Sequence, residues 1–475
     1  MNSMKITLIE AACLLGLLAL ALPGYAEAPA YNAVTDARLR APEDHNWLQY
    51  RRTYDSWGYS PLKQITAANV SKLRAAWTFS TGVVEAHQSP PIVNDGMMFI
   101  TTPRNQVIAL DARSGEQLWR YARELPDDLF QLHPTNRGVA LYGDRLYLAT
   151  VDAYLVALDA RTGEVIWEAE VEDYLAGYYM TLAPQAIKGK IIVGMSGGEF
   201  GIRGFIQAFD ATSGESVWKT SMVPGPGEAG HETWNEDDWK RGGVSVWVTG
   251  SYDPETNLTY WGTGNAGPWM ADQRPGDNLY ATSVVALDAD TGKYRWHYQT
   301  VPGETWDFNS SMDIVSVDLE VNDRVIKTLM HAPKNGFFYI LNRANGKLLS
   351  AEKFAKVTWA SGVDMKTGRP IETAGSRYED GEVLIWPGPA GAHNWQPMSW
   401  NPNTQLMYFP YHDVPGYYND TAINLTTFQA KRHELSTGVS YAEDDSPADS
   451  GTSGLMAWNP LTQQVAWKHD NPGIW

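Results

Sequence analysis

Cysteine is almost absent from this sequence, and its absence excludes several kinds of structure. The only cysteine among the 475 residues is Cys13, which lies in an apolar N-terminal segment typical of an export signal. We therefore expect the mature chain to have no thiol. Such a chain forms no disulfide, no cysteine-ligated metal site and no covalent haem attachment site within these residues.

Positive charge is also in short supply. The sequence has 37 lysines and arginines against 55 aspartates and glutamates, which gives a formal net charge of −18 and a pI of about 5.0. A nucleic-acid-binding surface needs clustered lysine and arginine, so this balance argues against a nucleic-acid partner. It favours solubility or a partner with a basic surface.

Long apolar runs are missing apart from the segment Ala11 to Leu22. This run is short for a bilayer, because a spanning helix needs about 20 apolar residues. Lys5 precedes it, and the small residues Ala26 and Ala28 follow at a spacing suited to signal cleavage. We predict that residues 1–26 are a signal peptide and that no stable membrane span remains after cleavage. An uncleaved anchor is the alternative.

Few segments have the apolar period of a helix, and a hairpin-like repeat occupies the chain instead. The first copy, residues 109–119, reads Ala-Leu-Asp-Ala-Arg-Ser-Gly-Glu-Gln-Leu-Trp. Further copies lie at 157–167, 208–218, 286–296, 340–350 and 457–467. The last two are degenerate, and Ser350 replaces the tryptophan in the first of them. Each copy predicts two short strands around an Asp-x-x-(Ser/Thr)-Gly turn, ending in a tryptophan that packs between sheets.

The spacing of the repeat predicts an all-β propeller. Trp119, Trp167, Trp218 and Trp296 lie 48, 51 and 78 residues apart. The first two intervals suit one four-stranded propeller blade, and the third leaves room for an insertion. An immunoglobulin-like array is the rival fold, but it gives no reason for the repeated Asp-x-x-x-Gly-x-x-x-Trp pattern. No hydrophilic linker interrupts the chain, so we predict one propeller domain over residues 27–475.

Asp307 is the first candidate for a catalytic side chain. It lies between Trp306 and Phe308 in the stretch Gly303 to Ser310. Aromatic neighbours lower the local dielectric and can raise the pKa of a carboxyl group toward the range of a general base. From this stretch alone, a turn aspartate that caps a loop is the alternative interpretation.

A series of short motifs makes the sequence recognisable. In chain order they are Tyr59 to Leu62, Asn136 to Ala140, Gly197 to Gly201, Gly242 to Trp247, Tyr260 to Asn265, Trp306 to Phe308, Lys334 to Tyr339 and Asn394 to Pro397. From about Trp47 to the last residue, the sequence thereby resembles the methanol/ethanol dehydrogenase family of quinoproteins. The resemblance implies an eight-bladed propeller whose central funnel binds pyrroloquinoline quinone (PQQ) on a metal ion.

The resemblance also implies a metal site and a catalytic base. Glu199 and Asn265 match the protein ligands of the metal ion, and Asp307 matches both the base and a group beside the metal. Side-chain and quinone oxygens suit a hard cation such as calcium. Lanthanide-using members carry an additional aspartate two residues after the base, where this chain has the neutral Asn309. Calcium is therefore expected rather than a lanthanide.

Several residues match the family's contacts to PQQ. Trp247 matches the indole on which the quinone stacks, Ser245 a hydroxyl contact, and Arg137 the partner of a PQQ carboxylate. Lys334 matches a cation near the quinone carbonyls, and Trp475 matches a tryptophan close to the cofactor. The lesser polar contacts are Thr181, Ser196, Gly197, Gly198 and Asn394.

The sequence departs from the family pattern at three places. Gln131 and Leu132 replace two adjacent cysteines that form a disulfide ring over the quinone, so Leu132 or His133 is expected to cover that face. Gln88 replaces a glutamate that contacts the cofactor. The chain stops at Trp475, where the family continues into its final blade, so we expect an incomplete propeller that aggregates or binds PQQ poorly when expressed alone.

The resemblance implies oxidation of a small alcohol in the periplasm. Asp307 would take the hydroxyl proton, hydride would pass to the quinone, and the electrons would leave to a cytochrome c. A PQQ-dependent sugar or polyol dehydrogenase is the closer alternative. A non-catalytic propeller scaffold that binds protein is the other, although a scaffold has no need of Glu199, Asn265 and Asp307 together.

Overall fold

The computed structural model describes residues 31–85, 87–379, 381–419, 431, 433–435, 437–442 and 451–471. The predicted signal peptide and Trp475 lie outside the described residues. Within these ranges the fold is almost entirely β, as the repeat predicts, with one short α-helix, α1 (Asp36–Arg40). None of the helices in these ranges has the length and apolar character needed to cross a membrane.

Six four-stranded antiparallel sheets, here called blades 1 to 6, make up most of the described chain. Blades 1 to 3 contain β1 (Ile92–Asn94), β2 (Met97–Thr102), β3 (Gln106–Asp111), β4 (Gln117–Ala122); β5 (Ala140–Tyr142), β6 (Arg145–Ala149), β7 (Tyr154–Asp159), β8 (Val165–Glu170); and β9 (Gln185–Ile187), β10 (Lys190–Gly194), β11 (Phe205–Asp210), β12 (Ser216–Ser221). Blades 4 and 5 contain β13 (Ser251–Asp253), β14 (Leu258–Gly262), β15 (Ser283–Asp288), β16 (Tyr294–Gln299); and β17 (Ile314–Val321), β18 (Arg324–His331), β19 (Phe337–Asn342), β20 (Leu348–Lys353).

Blade 6 is interrupted by insertions. A hairpin of β21 (Ala360–Val363) and β22 (Pro370–Glu372) precedes it, and β23 (Val383–Ile385), β26 (Gly416–Asn419) and β27 (Ser440–Ala442) form a three-stranded sheet beside it. Blade 6 itself contains β24 (Ser399–Asn401), β25 (Leu406–Asp413), β28 (Thr452–Asn459) and β29 (Gln464–Asn471). Short 3₁₀ helices span Val70–Lys72, Tyr174–Ala176, Gly198–Phe200, His231–Thr233, Asp238–Arg241 and Ala271–Gln273.

The sequence repeat forms a hairpin, as predicted, and the structure shows that this hairpin contains the third and fourth strands of each blade. In blade 1 the Asp111 carboxylate accepts hydrogen bonds from the backbone N–H groups of Arg113 (2.8 Å) and Ser114 (2.9 Å). Gly115 then takes a left-handed conformation with φ +75°, which glycine adopts without steric cost. These local interactions explain why the repeat specifies a tight hairpin wherever it occurs.

The repeated tryptophans join neighbouring blades. Trp119 of blade 1 donates its indole N–H to the Ala160 carbonyl in the hairpin turn of blade 2 (3.2 Å). A Cβ atom on Gly163 of that turn would lie 2.5 Å from the same indole, so the ring packs directly on the glycine. The contact recurs between Trp167 and Gly214, Trp218 and Gly292, and Trp296 and Gly346. The repeat therefore encodes the contact between blades as well as the hairpin.

An N-terminal segment crosses several blades and fixes them around the centre. The Tyr54 hydroxyl donates to the Ala186 carbonyl of blade 3 (2.9 Å), and Trp57 Nε1 donates to the Ser316 carbonyl of blade 5 (2.7 Å). Arg51 is almost buried and lies 3.4 Å from the Asp313 carboxylate at the entry to blade 5. These contacts hold the inner ends of non-adjacent blades in place.

Candidate active site

A cavity of about 240 Å³ lies where loops from all six blades meet. Ten of the residues expected from the sequence line it: Arg137, Thr181, Ser196, Gly197, Glu199, Ser245, Trp247, Asp307, Lys334 and Asn394. Two more, Gly198 and Asn265, are buried beside it. A Cβ on Gly198 would lie 3.2 Å from Ser245 Oγ, and one on Gly264, next to Asn265, would lie 2.5 Å from the same atom.

The topology explains why residues so distant in sequence come together. Loops that enter the first strand of a blade carry Arg137, Thr181, Trp247, Asp307 and Asn394. Loops that join the second strand to the third carry Glu199, Asn265 and Lys334. In an antiparallel sheet both kinds of loop leave at the same end. Repetition of the blade around an axis therefore places all of them at one mouth of the central channel.

Asp307 is held by two neighbours on the cavity wall. Its Oδ2 lies 2.8 Å from Lys334 Nζ, and its Oδ1 accepts a hydrogen bond from Asn309 Nδ2 at 2.7 Å. The side chain is 13 % exposed. Burial raises the pKa of Asp307 to about 7, the positive charge of Lys334 opposes that rise, and the negative charge of Glu199 adds to it. This carboxyl group can therefore hold or release a proton near neutral pH.

The aromatic residues beside Asp307 anchor its loop. Trp306 and Phe308 are fully buried and stack on each other with ring centroids 5.5 Å apart, and both contact Trp359. The Glu304 carboxylate accepts the backbone N–H groups of both residues, at 2.5 and 2.8 Å. Asp307 itself has φ +65°, a conformation that costs a non-glycine residue about 1–3 kcal/mol. The anchored aromatics hold it there.

The donor set beside Asp307 fits a hard cation. Asn265 is fully buried, and its Oδ1 has no hydrogen-bond partner in the described chain. A buried unpaired acceptor costs about 1–3 kcal/mol, which binding a cation would offset. Glu199 lies on the 3₁₀ helix Gly198–Phe200, close enough for its charge to raise the pKa of Asp307. In the described ranges no three His, Cys, Asp or Glu side chains cluster. The candidate ligands here are instead two carboxylates, Glu199 and Asp307, and the amide oxygen of Asn265, which are all oxygen donors of the kind that a hard cation prefers.

Arg137 fits an anionic ligand in the cavity. Its guanidinium is buried, and within the described residues it has no carboxylate partner. Nη1 donates to Thr181 Oγ1 at 2.7 Å and to the Trp247 carbonyl at 3.2 Å, whereas Nε has no partner there. Burial lowers the pKa of Arg137 to about 10. A buried guanidinium group that lacks a carboxylate partner is suited to binding a ligand that carries a carboxylate.

Trp247 presents an indole to the same cavity. The Arg137 guanidinium lies 4.8 Å from the centre of the indole, and the indole N–H donates to Asn309 Oδ1 at 3.0 Å. Both ends of the side chain are thereby fixed. A rigid, flat ring is the surface on which an aromatic cofactor stacks.

Seven further residues line the cavity: Gln88, Leu132, His133, Thr135, Tyr179, Asn309 and Trp395. The sequence does not predict Thr135, Tyr179 or Trp395 as site residues, because none of them belongs to a spacing pattern that by itself indicates a binding or catalytic role. Thr135 Oγ1 and Gln88 Oε1 are buried without a partner in the described chain. Two of the seven, Leu132 and His133, lie on the cavity wall, and the expectation that one of them covers a ligand face stays a prediction. Trp475 lies outside the described residues.

The fold and the cavity define a class of protein: a β-propeller whose central cavity has side chains suited to a flat, acidic cofactor and a cation. Residues 47–361 match the family model described as the PQQ-binding "Glucose/ethanol/alcohol dehydrogenase, beta-propeller domain". The chain belongs to this family of quinoprotein dehydrogenases, as the sequence resemblance indicates.

Characterised relatives support this placement. The chain is 43 % identical over 462 residues to the quinohemoprotein alcohol dehydrogenase ADH IIB of Pseudomonas putida, covering 93 % of this chain and 66 % of that protein. The structure of the quinohemoprotein alcohol dehydrogenase ADHIIG from the same species matches with a TM-score of 0.87 at 37 % identity, covering 94 % of this chain and 70 % of that one. A europium-containing methanol dehydrogenase matches with a TM-score of 0.83 at 31 % identity, covering 92 % and 80 %.

The chain spans slightly less than two thirds of the length of several of these relatives, 66 % for ADH IIB and 65 % for the quinohemoprotein alcohol dehydrogenase of Comamonas testosteroni.

Proposed function

We propose that this protein oxidises a small primary or secondary alcohol with PQQ, using Asp307 as general base. The observation that carries the proposal is the arrangement around Asp307. One carboxylate with a raised pKa lies in a cavity that also holds a second carboxylate and a buried arginine, and the unpaired amide oxygen of Asn265 is buried beside this cavity. Bound PQQ supplies an acceptor for hydride from the alcohol carbon, and a bound metal ion polarises the quinone as a Lewis acid.

The chain's own residues supply position and proton transfer. Glu199, Asn265 and Asp307 are the proposed metal ligands, and Arg137 with Thr181 is proposed to hold a carboxylate of the cofactor. Trp247 gives the ring a stacking surface, and Ser196, Gly197, Gly198, Ser245 and Asn394 are the proposed lesser contacts. An Oδ atom of Asp307 takes the hydroxyl proton of the alcohol. The ammonium group of Lys334, 2.8 Å from Oδ2, stabilises negative charge beside it.

Calcium is the proposed metal. A europium-containing relative adopts the same fold, so the fold by itself does not decide between calcium and a lanthanide. A trivalent ion favours additional negative charge, whereas Asn309 is neutral and its amide oxygen already accepts the indole N–H of Trp247 at 3.0 Å. Two carboxylates and one amide oxygen match the requirements of a divalent hard cation.

Electron transfer to a cytochrome c in the periplasm completes the proposal. Relatives of this chain are named quinohemoprotein alcohol dehydrogenases, and a 1-butanol dehydrogenase (cytochrome c) is 36 % identical to it. The net charge of −18 suits a basic partner surface, since opposite charges speed association. Export would follow from a signal peptide at residues 1–26.

The test is turnover with a dye as electron acceptor, measured on purified protein supplied with PQQ and calcium. Replacing Asp307 by Ala or Asn is expected to lower kcat by about 10²–10⁴-fold, the usual contribution of a general base. Asp364→Asn, in the turn between β21 and β22, is the matched control and keeps full turnover. Undiminished turnover in both Asp307 variants would refute the assignment. Glucose oxidised in preference to ethanol and 2-propanol would favour the sugar dehydrogenase.

A further inference from the structure

Asn309 makes two hydrogen bonds that link Asp307 to Trp247. Its Nδ2 donates to Asp307 Oδ1 at 2.7 Å and to the Asp307 carbonyl at 3.2 Å. Its Oδ1 accepts the indole N–H of Trp247 at 3.0 Å. Asn309 and Trp247 are 62 residues apart in sequence, on loops that enter different blades. The amide group of Asn309 therefore lies between Asp307 and the indole of Trp247 and is hydrogen-bonded to both.

The partners of Asn309 fix the direction of its amide. An indole N–H can only donate, so the atom facing Trp247 must be the amide oxygen. The backbone carbonyl of Asp307 can only accept, so the atom that faces it at 3.2 Å must be the amide nitrogen, whether or not the Asp307 side chain is protonated. Rotating the amide by 180° would break both bonds at once. In this orientation the indole N–H of Trp247 uses one of the two lone pairs of the Asn309 oxygen, which leaves a single lone pair for any other donor or ion.

The surroundings of Asn309 leave little room for another arrangement. The residue is 3 % exposed. A Cβ on Gly264 would lie 2.7 Å from Asn309 Oδ1, so the glycine at that position admits the amide oxygen. The backbone N–H of Asn309 donates to the Asp307 carbonyl at 3.0 Å, which closes the turn that holds Asp307 at φ +65°. Side chain and backbone of Asn309 thus act on the same neighbour.

We propose that Asn309 is a positioning residue, which fixes the carboxylate of Asp307 relative to the indole of Trp247, and that it is not a metal ligand. The proposal rests on the function proposed above, in which Asp307 is the base and Trp247 the stacking surface. Positioning matters because a displacement of the base by about 1 Å relative to the stacked cofactor can lower the reaction rate on the order of 10²-fold.

Two substitutions separate the two hydrogen bonds. Asn309→Ala removes both. Asn309→Asp keeps an acceptor for the indole N–H but places a carboxylate, which cannot donate, beside Asp307. Both variants are expected to lose on the order of 10²-fold in kcat, with KM for the alcohol changed by less than about threefold. Asn257→Ala is the control, because the Asn257 amide also bridges two side chains, Asp290 and Tyr252, but lies in the hairpin between β13 and β14.

A second measurement needs neither cofactor nor turnover. In protein carrying ¹⁵N-labelled tryptophan, the indole N–H signal of Trp247 is assigned by its loss in Trp247→Phe. The signal is expected to shift in Asn309→Ala, to shift less in Asn309→Asp, and to stay in place in Asn257→Ala. An unshifted signal in Asn309→Ala would overturn the proposal even if the enzyme proves inactive for other reasons.

Calcium affinity distinguishes positioning from ligation. Asn309→Ala is expected to bind calcium within about threefold of the parent, since the metal loses no oxygen ligand, whereas Asn265→Ala should lose tenfold or more. An equal loss in both variants would make Asn309 a ligand and refute the proposal. Normal kcat in Asn309→Ala would also refute it. Neither result would bear on whether Asp307 is the base, which the Asp307 variants decide separately.

Discussion

The outer rim of the propeller and the cavity at its centre use buried side chains in opposite ways. At the rim, Trp119 packs on Gly163 of the next blade and donates its N–H to the Ala160 carbonyl. In the cavity, Asn265 Oδ1 and Arg137 Nε are buried with no partner in the described chain. The rim tryptophans stabilise the fold mainly through the packing of their rings, because the indole N–H groups of Trp167 and Trp296 also have no partner in the described chain. The unpaired cavity atoms lie in or beside an open space instead, and we propose that a ligand pairs them.

One junction at the rim shows how closely the tryptophan and the glycine depend on each other. In blade 5 the register pairs Ile340 with Ser350, where the other blades pair alanine with tryptophan. The facing turn of blade 6 has Gln463, at φ +54°, in place of the glycine. The Gln463 amide donates to the Pro460 carbonyl at 2.8 Å, the position of the carbonyl that accepts the indole N–H elsewhere. When the indole is lost, both the glycine and the hydrogen bond are replaced.

The largest expected effect is the loss of a rim tryptophan. Trp218 is 8 % exposed, packs on Gly292 and donates to the Ala289 carbonyl at 3.3 Å. Trp218→Ala should lower the free energy of unfolding by about 3–5 kcal/mol, measured by chemical denaturation. Trp467→Ala, at the same repeat position but 44 % exposed, should change it by less than about 1 kcal/mol. Equal losses would contradict the role assigned to the rim.

A smaller effect is expected from restoring the missing indole. Ser350→Trp alone should destabilise the protein by about 1–3 kcal/mol, because the ring meets the side chain of Gln463 instead of a glycine. Adding Gln463→Gly should recover at least half of that loss. The two changes would then show a coupling energy of about 0.5–3 kcal/mol in a double-mutant cycle of denaturation measurements. If the effects of the two substitutions simply add, Gln463 does not occupy the place of the missing indole, and this explanation of the junction is wrong.

The smallest effect on stability is expected in the cavity. Asn265→Ala removes an unpaired amide oxygen together with one long hydrogen bond, from Nδ2 to the Ala266 carbonyl at 3.2 Å, and so should change the free energy of unfolding of the ligand-free protein by no more than about 1 kcal/mol. The same change should abolish the stabilisation that calcium and PQQ together give in a thermal melt. A large loss of stability without ligands would mean that Asn265 supports the fold and not a metal.

The sequence predicts the rim far more completely than the cavity. The hairpin depends on residues a few positions apart, such as Asp111 and Gly115, so the repeat specifies it locally. Asp307, Glu199 and Asn265 are predicted through motifs that resemble a known family. Thr135, Tyr179 and the link from Asn309 to Trp247 are not, because they depend on how loops from different blades meet. That placement follows from packing of the whole ring and leaves no signal in the local sequence.

Binding of PQQ tests the central claim most directly. The cofactor's absorbance is titrated with purified full-length protein in the presence of calcium, with a chelator, and with the variants Asn265→Ala and Arg137→Ala. The account predicts saturable, one-to-one binding with calcium and at least tenfold weaker binding with the chelator or in either variant. PQQ that fails to bind, or that binds equally well to all of these samples, would contradict the assignment of this cavity as a cofactor and metal site.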